Sequence, residues 1–310
     1  MTGVQTCALP ISVSLRSVAD GNFVVVDRSD GRQTIIAEVD YSSAALTLYE
    51  GAIHMIQSLP YQVEKLDWDG RKAFVTRTRV DYYTDAIDYT KLKVLARFDG
   101  AKAGAGSAQH GEVHVLRRVA GYKKIRYYTH ENIGYGPVNL PDQELHTTAI
   151  WWQLPQTVLE ANFASRQNAL DGFLGAAYAL HVVAGVAVMA EARDLRKAVG
   201  SGDGAWFAEA DGHGRGRLRS ADGSPTDATV GERFLPTVYL YDNYPGGVDL
   251  SEPLWHRQQE LLVRARELVL GCDCRAGCPA CVGPVLVADE LSERTPRQLA
   301  TTVLDLLICA

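Results

Sequence analysis

Four of the six cysteines in this 310-residue chain fall within one short run, Cys272-Asp273-Cys274-Arg275-Ala276-Gly277-Cys278-Pro279-Ala280-Cys281. This CxCx3CxxC array constrains the fold more than any other feature, because thiols packed so densely along the chain must share one centre. Zinc takes four thiolates in a tetrahedron, and Gly277 and Pro279 allow a short loop to turn all four sulfurs inward. An iron–sulfur cluster also takes four thiolates, and the spacing leaves that alternative open. A disulfide pair needs an oxidising compartment, and no signal peptide is recognisable. A site closed by four protein ligands has no position for water. One structural zinc is therefore expected, contributing folding energy to a small subdomain in a cytoplasmic protein.

Composition excludes several functions. The chain is 46% hydrophobic and 22% charged, the balance of an ordinary globular protein. With 31 Lys and Arg against 37 Asp and Glu, the net charge is −6, so any nucleic-acid contact has to be local. There is no GxxxxGK[ST] phosphate loop, no GxGxxG opening a helix and no GxSxG elbow. Residues 1–11, MTGVQTCALPI, match the translation of a sequencing-library adapter codon for codon when GTG is read as the start. The expectation is that this segment is an artefact, that Cys7 is neither ligand nor nucleophile, and that an upstream part of the natural protein is missing.

The pattern along the chain predicts an α+β protein. A β-rich half covers residues 12–155, and a mainly helical half with the four-cysteine zinc subdomain covers 156–310. Strands are expected at 23–27, 33–36, 51–58, 62–67, 73–81, 145–154, 205–208 and 237–241. A hairpin is expected at 112–129, turning about Ala120-Gly121, with a loop tip at 101–108. The apolar run 172–190 is long enough to be weighed as a membrane span. It is rich in Ala and Gly and lacks an aromatic belt, so it reads as a helix through the core, with no membrane role. Ser251 is expected to cap a helix stopped by Gly271, and Thr295-Pro296 to start the last helix.

The hairpin gathers Arg117, Arg118, Lys123, Lys124 and Arg126 with Tyr122, Tyr127 and Tyr128. Basic groups beside rings have the composition of a single-strand platform, although a solvated face with core tyrosines has the same composition. Arg215, Arg217 and Arg219 lie in a Gly-rich stretch and read as solvated. The eight histidines, His213 among them, show no metal-ligand spacing. Tyr244-Pro245-Gly246-Gly247 reads as a tight turn into the following helix, fixed by Asp242 and Asn243. Asp242, Asn243, Glu144 and Asp194 are the acid–base candidates of an independent enzyme, but no spacing points to a reaction.

Tyr241-Asp242-Asn243-Tyr244-Pro245-Gly246-Gly247-Val248, then Leu250-Ser251-Glu252, the four cysteines and Val282-Gly283-Pro284, together resemble the C-terminal MrfA-type zinc-binding domain of DEAD/DEAH-box DNA helicases. Tyr49-Glu50-Gly51-Ala52-Ile53 through Leu66-Asp67, Val80-Asp81-Tyr82-Tyr83-Thr84, and Gly121-Tyr122-Lys123-Lys124-Ile125-Arg126 extend the likeness over nearly everything from Ser12. The resemblance implies that the intact protein is an ATP-dependent superfamily 2 DNA helicase with a repair role. It assigns the zinc to Cys272, Cys274, Cys278 and Cys281. ATP and Mg2+ would belong to two RecA-like motor domains that this sequence lacks, so the chain alone is not expected to hydrolyse ATP. Its partners would be DNA, single-stranded or forked, and those motor domains. The alternative is a zinc-stabilised protein-interaction module that does not bind DNA.

Overall fold

The computed structural model describes residues 21–210, 216–220, 234–283 and 294–309. Residues 1–11 with Cys7, and His213, Arg215 and Pro284, lie outside them. Two compact units emerge, Met1–Ile87 with Ala120–Leu140, and Asp88–Val119 with Pro141–Ala310.

In the first unit β1 (Asn22–Asp27) and β2 (Thr34–Asp40) form the expected hairpin, and a helix α1 (Tyr41–Thr47) follows. Strands β3 (Ile53–Ile56), β4 (Leu59–Asp67) and β5 (Lys72–Arg77) complete a sheet of order β2-β1-β5-β4-β3. β1 runs parallel to β5. Alternation sends Phe23 and Val25 of β1 inward against Val63 of β4, Ala73 and Val75 of β5, and Ala44 of α1. Tyr122 closes this core by stacking on Tyr49, with ring centroids 5.0 Å apart.

Two long strands, β6 (Tyr82–Ala103) and β7 (Gly106–Arg126), are joined at Gly104-Ala105. Residues 82–87 and 120–126 of these strands belong to the first unit, and the remainder to the second. The expected turn at Ala120-Gly121 does not exist: β7 runs straight through it, and β8 (Asn132–Pro137) pairs with its C-terminal end. Gly121 is there for close approach, since a Cβ on it would meet the Gly136 carbonyl oxygen at 2.8 Å. The loop tip expected at 101–108 is likewise mostly strand.

The second unit continues with β9 (Gln143–Gln153), α2 (Gln156–Asn162), α3 (Arg166–Ala187), β10 (Leu195–Gly200), β11 (Trp206–Ala210), β12 (Gly216–Ser220) and β13 (Thr237–Asp242). Helices α4 (Ser251–His256), α5 (Gln258–Leu270) and α6 (Pro296–Ile308) complete it. Its strands run in the order β12-β11-β10-β13-β9-β7-β6. The sheet is buried on both faces. Ile150, Trp152, Val238 and Leu240 pack toward the helices, while Ala149, Trp151, Tyr239 and Tyr241 pack on the opposite face. The α+β class holds, with four strands, β10 to β13, among the helices after residue 155. The two compact units do not follow the change of pattern at Pro155, because β9 before it and β13 after it are paired neighbours.

The apolar run forms α3, with ten residues from Ala169 to Ala184 buried. Its glycines set how near α6 can come. A Cβ on Gly172 would meet the Leu299 oxygen at 2.9 Å, and one on Gly175 would meet the Ala300 Cβ at 2.9 Å. The small residues therefore serve helix-on-helix packing. Ser251 is not the N-cap: Leu250 holds that position, and Ser251 is the buried first residue of α4, its Oγ 3.3 Å from Nε2 of His110. The helix expected from Ser251 breaks at Arg257 before α5 resumes.

Candidate metal centre and the residues around it

Gly271 ends α5, and the cysteine loop begins at the next residue. The Sγ atoms of Cys272, Cys274, Cys278 and Cys281 all lie within 4.8 Å of one another. Sγ of Cys272 is 3.5 Å from Cys278, Cys274 is 3.5 Å from Cys281, and Cys278 is 3.8 Å from Cys281. A disulfide would require about 2.05 Å. A tetrahedron of Zn–S bonds about 2.3 Å long places its sulfurs about 3.8 Å apart, so the cage fits a four-coordinate thiophilic ion. Four thiolates at these distances would repel one another without a cation. Burial pushes the Cys281 thiol up to about 12 and raises that of Cys274. The Ala280 backbone N–H, followed by Cys272, brings Cys278 down to about 7. Among the described residues this is the one cluster of three or more His, Cys, Asp or Glu side chains with ligand atoms gathered closely enough for a metal.

The loop is held from both sides. Gly277 takes φ +120°, and a Cβ there would run into Val282 at 2.6 Å. Arg297 in the first turn of α6 is a clamp. Its Nε donates to the Val269 carbonyl at 3.0 Å, its Nη2 to Leu270 at 2.7 Å, its Nη1 to Cys274, and its backbone N–H to Ala276 at 2.9 Å. One guanidinium thus satisfies terminal carbonyls of α5 and fixes the ligand loop. The capping box of Thr295 and Gln298 orients this turn. Sequence reasoning missed Arg297, because its partners are carbonyls that only the fold brings together.

The Tyr241–Val248 motif forms a turn rather than a reaction centre. Asp242 is fully buried, its Oδ2 accepting the backbone N–H groups of Val248 at 2.9 Å and Leu250 at 3.0 Å. Burial raises its pKa despite those two donors. Asn243 donates to the Arg193 carbonyl at 2.9 Å and accepts from Arg117 Nη2 at 3.0 Å. The hydroxyl of Tyr244 donates to Asp194, and Gly246 and Gly247 take φ +79° and +78°. Glu144 contacts His114, at 3.4 Å, while the backbone N–H of Asn243 donates to the Asp194 carbonyl at 2.8 Å.

The proposed DNA-contact residues divide. Arg117 is buried, bound to Asn243 and 3.8 Å from Asp88, and Arg118 makes a two-pronged pair with Asp142. Tyr122 is a core residue. Lys123 and Lys124 are half-buried, and Lys124 lies 5.4 Å from the Tyr82 ring centroid. Arg126 is exposed and paired with Asp81 and Glu131, and Tyr128 is 97% exposed. The fold adds Tyr82 and Tyr83 to this group, with the ring centroids of Tyr83 and Tyr127, a hairpin tyrosine of the same sequence run, 5.8 Å apart.

Comparison with known proteins agrees with this centre. Residues 176–282, from within α3 to just past Cys281, match the MrfA Zn-binding domain family. The chain is 34% identical over 284 residues to the uncharacterized ATP-dependent helicase YprA of Bacillus subtilis (strain 168), covering 91% of this chain and 34% of that protein. Against the ATP-dependent helicase HRQ1 of Saccharomyces cerevisiae the identity is 26% over 281 residues, 87% of this chain and 24% of the other. A crystal structure of the DUF1998 helicase MrfA bound to DNA superposes with a TM-score of 0.61 at 32% identity, over 95% of this chain and 35% of that one. The chain spans about a third or less of the length of these relatives. Residues 176–282 therefore match the MrfA Zn-binding domain family, within a chain that is similar over about nine-tenths of its length to ATP-dependent helicases.

Proposed function

We propose that the chain is the accessory and zinc-binding portion of an ATP-dependent superfamily 2 DNA helicase acting in DNA repair in the cytoplasm, and that it helps engage DNA, single-stranded or forked. The observation carrying this reading is the convergence of Cys272, Cys274, Cys278 and Cys281 inside the segment that matches a zinc-binding family. One structural zinc held by those thiols would tie α5 to the start of α6. ATP and Mg2+ would act in RecA-like motor domains, the principal protein partner of this portion. The DNA-bound helicase MrfA supports assigning DNA as the other partner.

One observation favours a second reading, a zinc-stabilised protein-interaction module. Arg117, Arg118 and Tyr122, three of the proposed DNA-contact residues, are engaged within the fold. Fluorescence anisotropy with single-stranded, forked and duplex DNA over a salt series separates the two. DNA engagement predicts binding that weakens steeply with salt, as phosphate contacts release counterions. No binding even at low salt would leave the interaction module.

A further inference from the structure

A cavity of about 330 Å³ opens in the second unit beside the cysteine loop. Its walls include Asp88 and Tyr89 of β6, Tyr178 of α3, Arg196 and Lys197 of β10, and Gly283, two residues past Cys281. Successive side chains of a strand point to opposite faces, so neighbours such as Arg196 and Lys197 do not ordinarily serve one site. Here they can, because β11 pairs with β10 only at Val199 and Gly200, and among the described residues no strand covers the β10 edge at 195–198. The cavity takes its lining from consecutive residues of that edge, Arg196 to Val199.

Its charges are unevenly paired. Lys197 lies 5.3 Å from the Tyr178 ring centroid and has no carboxylate within ion-pair distance among the described residues. Surrounding protein, then Arg196, lowers its pKa. Among the described residues Arg196 has only Asp88 within ion-pair distance, at 4.0 Å, a carboxylate also approached by Arg117 at 3.8 Å. Asp171, the other acid on the wall, accepts a hydrogen bond from Gln167 at 2.8 Å. The described wall thus carries two cations and two carboxylates, but neither acid lies within ion-pair distance of Lys197, which leaves that ammonium open to an anion. Tyr89 and Tyr178 stand in the walls, and the Arg219 guanidinium lies 4.5 Å from the Tyr89 ring centroid, a further cation beside the cavity. A Cβ on Gly283 would meet the Tyr178 ring at 3.0 Å, so the exit of the cysteine loop is seated on that ring and one wall depends on the metal centre.

We propose that this cavity holds one nucleotide unit of a DNA single strand, its phosphate on Arg196 and Lys197 and its base against Tyr89 and Tyr178. The inference rests on the reading of the chain as a DNA-engaging portion of a helicase. Paired cations flanked by rings favour a nucleotide over an acidic peptide, whose carboxylates would make no use of the rings.

The test uses the full zinc-loaded chain and an oligo(dT) probe, with thymidine monophosphate and poly-glutamate as competitors. Lys197→Gln and Arg196→Gln are compared with Lys197→Arg and with Lys102→Gln, an exposed lysine away from the cavity. Zinc content and melting are followed for each variant. Lys197→Gln is expected to weaken oligo(dT) roughly fivefold and to reduce the salt slope by about 0.7, the share of one single-strand phosphate. Lys197→Arg and Lys102→Gln are expected to bind like the parent. Thymidine monophosphate should compete only at far higher concentration than the strand; competition at equal concentration would identify a free-nucleotide site instead. Photocrosslinking of 5-iodouracil oligonucleotides to the unsubstituted chain gives an answer independent of variant folding, with adducts expected at Tyr89 or Tyr178. DNA binding that persists unchanged in both Gln variants, with adducts elsewhere, would overturn the cavity assignment and leave the helicase reading standing. Poly-glutamate binding that requires Lys197 without any DNA binding would overturn both.

Discussion

Asp242 places one carboxylate oxygen on two backbone N–H groups, and its buried Oδ1 has no partner among the described residues. The turn into α4 depends on the first of these, so Asp242→Ala is expected to cost about 2 kcal/mol in chemical denaturation, the penalty of stranding buried donors. A variant as stable as the parent would show that the turn is held elsewhere. His181 carries a pH dependence. Burial lowers its pKa below 6.5, and its Nε2 donates to the Leu195 carbonyl at 2.7 Å. The unfolded chain takes up the proton first, so this contribution is complete above pH 6.5 and is lost as the pH falls toward the folded value. Denaturation at pH 7.5 and 5.5 should show a smaller loss in His181→Gln than in the parent; equal losses would refute this assignment. The four cysteines were legible at this scale because their spacing is itself the site. Arg117 and Tyr122 were not, because a basic or aromatic residue in a strand is written the same way whether its face is solvated or packed.

Helix α6 links the metal loop to the core. Its capping box fixes the first turn, from which Arg297 reaches Val269, Leu270 and Cys274. Arg297→Ala is expected to weaken zinc about tenfold in chelator competition, as loss of a residue that orients ligands does. Unchanged zinc affinity would mean that the cysteines alone define the cage. Elements with strong local signals were readable: the β1 and β2 hairpin, the β9 and β13 runs, the Gly271 stop and the Thr295 cap. α1 and α2, seven residues each, are too short to show a helical period. β6 was unreadable for a different reason. Most of its residues are partly exposed without alternation, since the strand passes from one compact unit to the other. Gly121 misled because a glycine needed for close backbone approach has the same letter as one needed for a turn.

At the scale of the whole molecule, the two units differ in what they owe to metal. The first has a core of its own around Phe23, Tyr49, Val63 and Tyr122. In the second, Cys281 and Val282 are buried against α3, α5 and α6. Chelation is expected to raise amide exchange in α5 and α6 while β1, β4 and β5 keep their protection; uniform loss in both units would contradict that division. The most direct measurement is elemental analysis of the purified chain beside a Cys278→Ser variant. About one zinc per chain is expected, lost or weakened in the variant. Iron with visible absorbance would replace zinc by a cluster in the same cage, and a folded chain without metal would contradict the account at its centre.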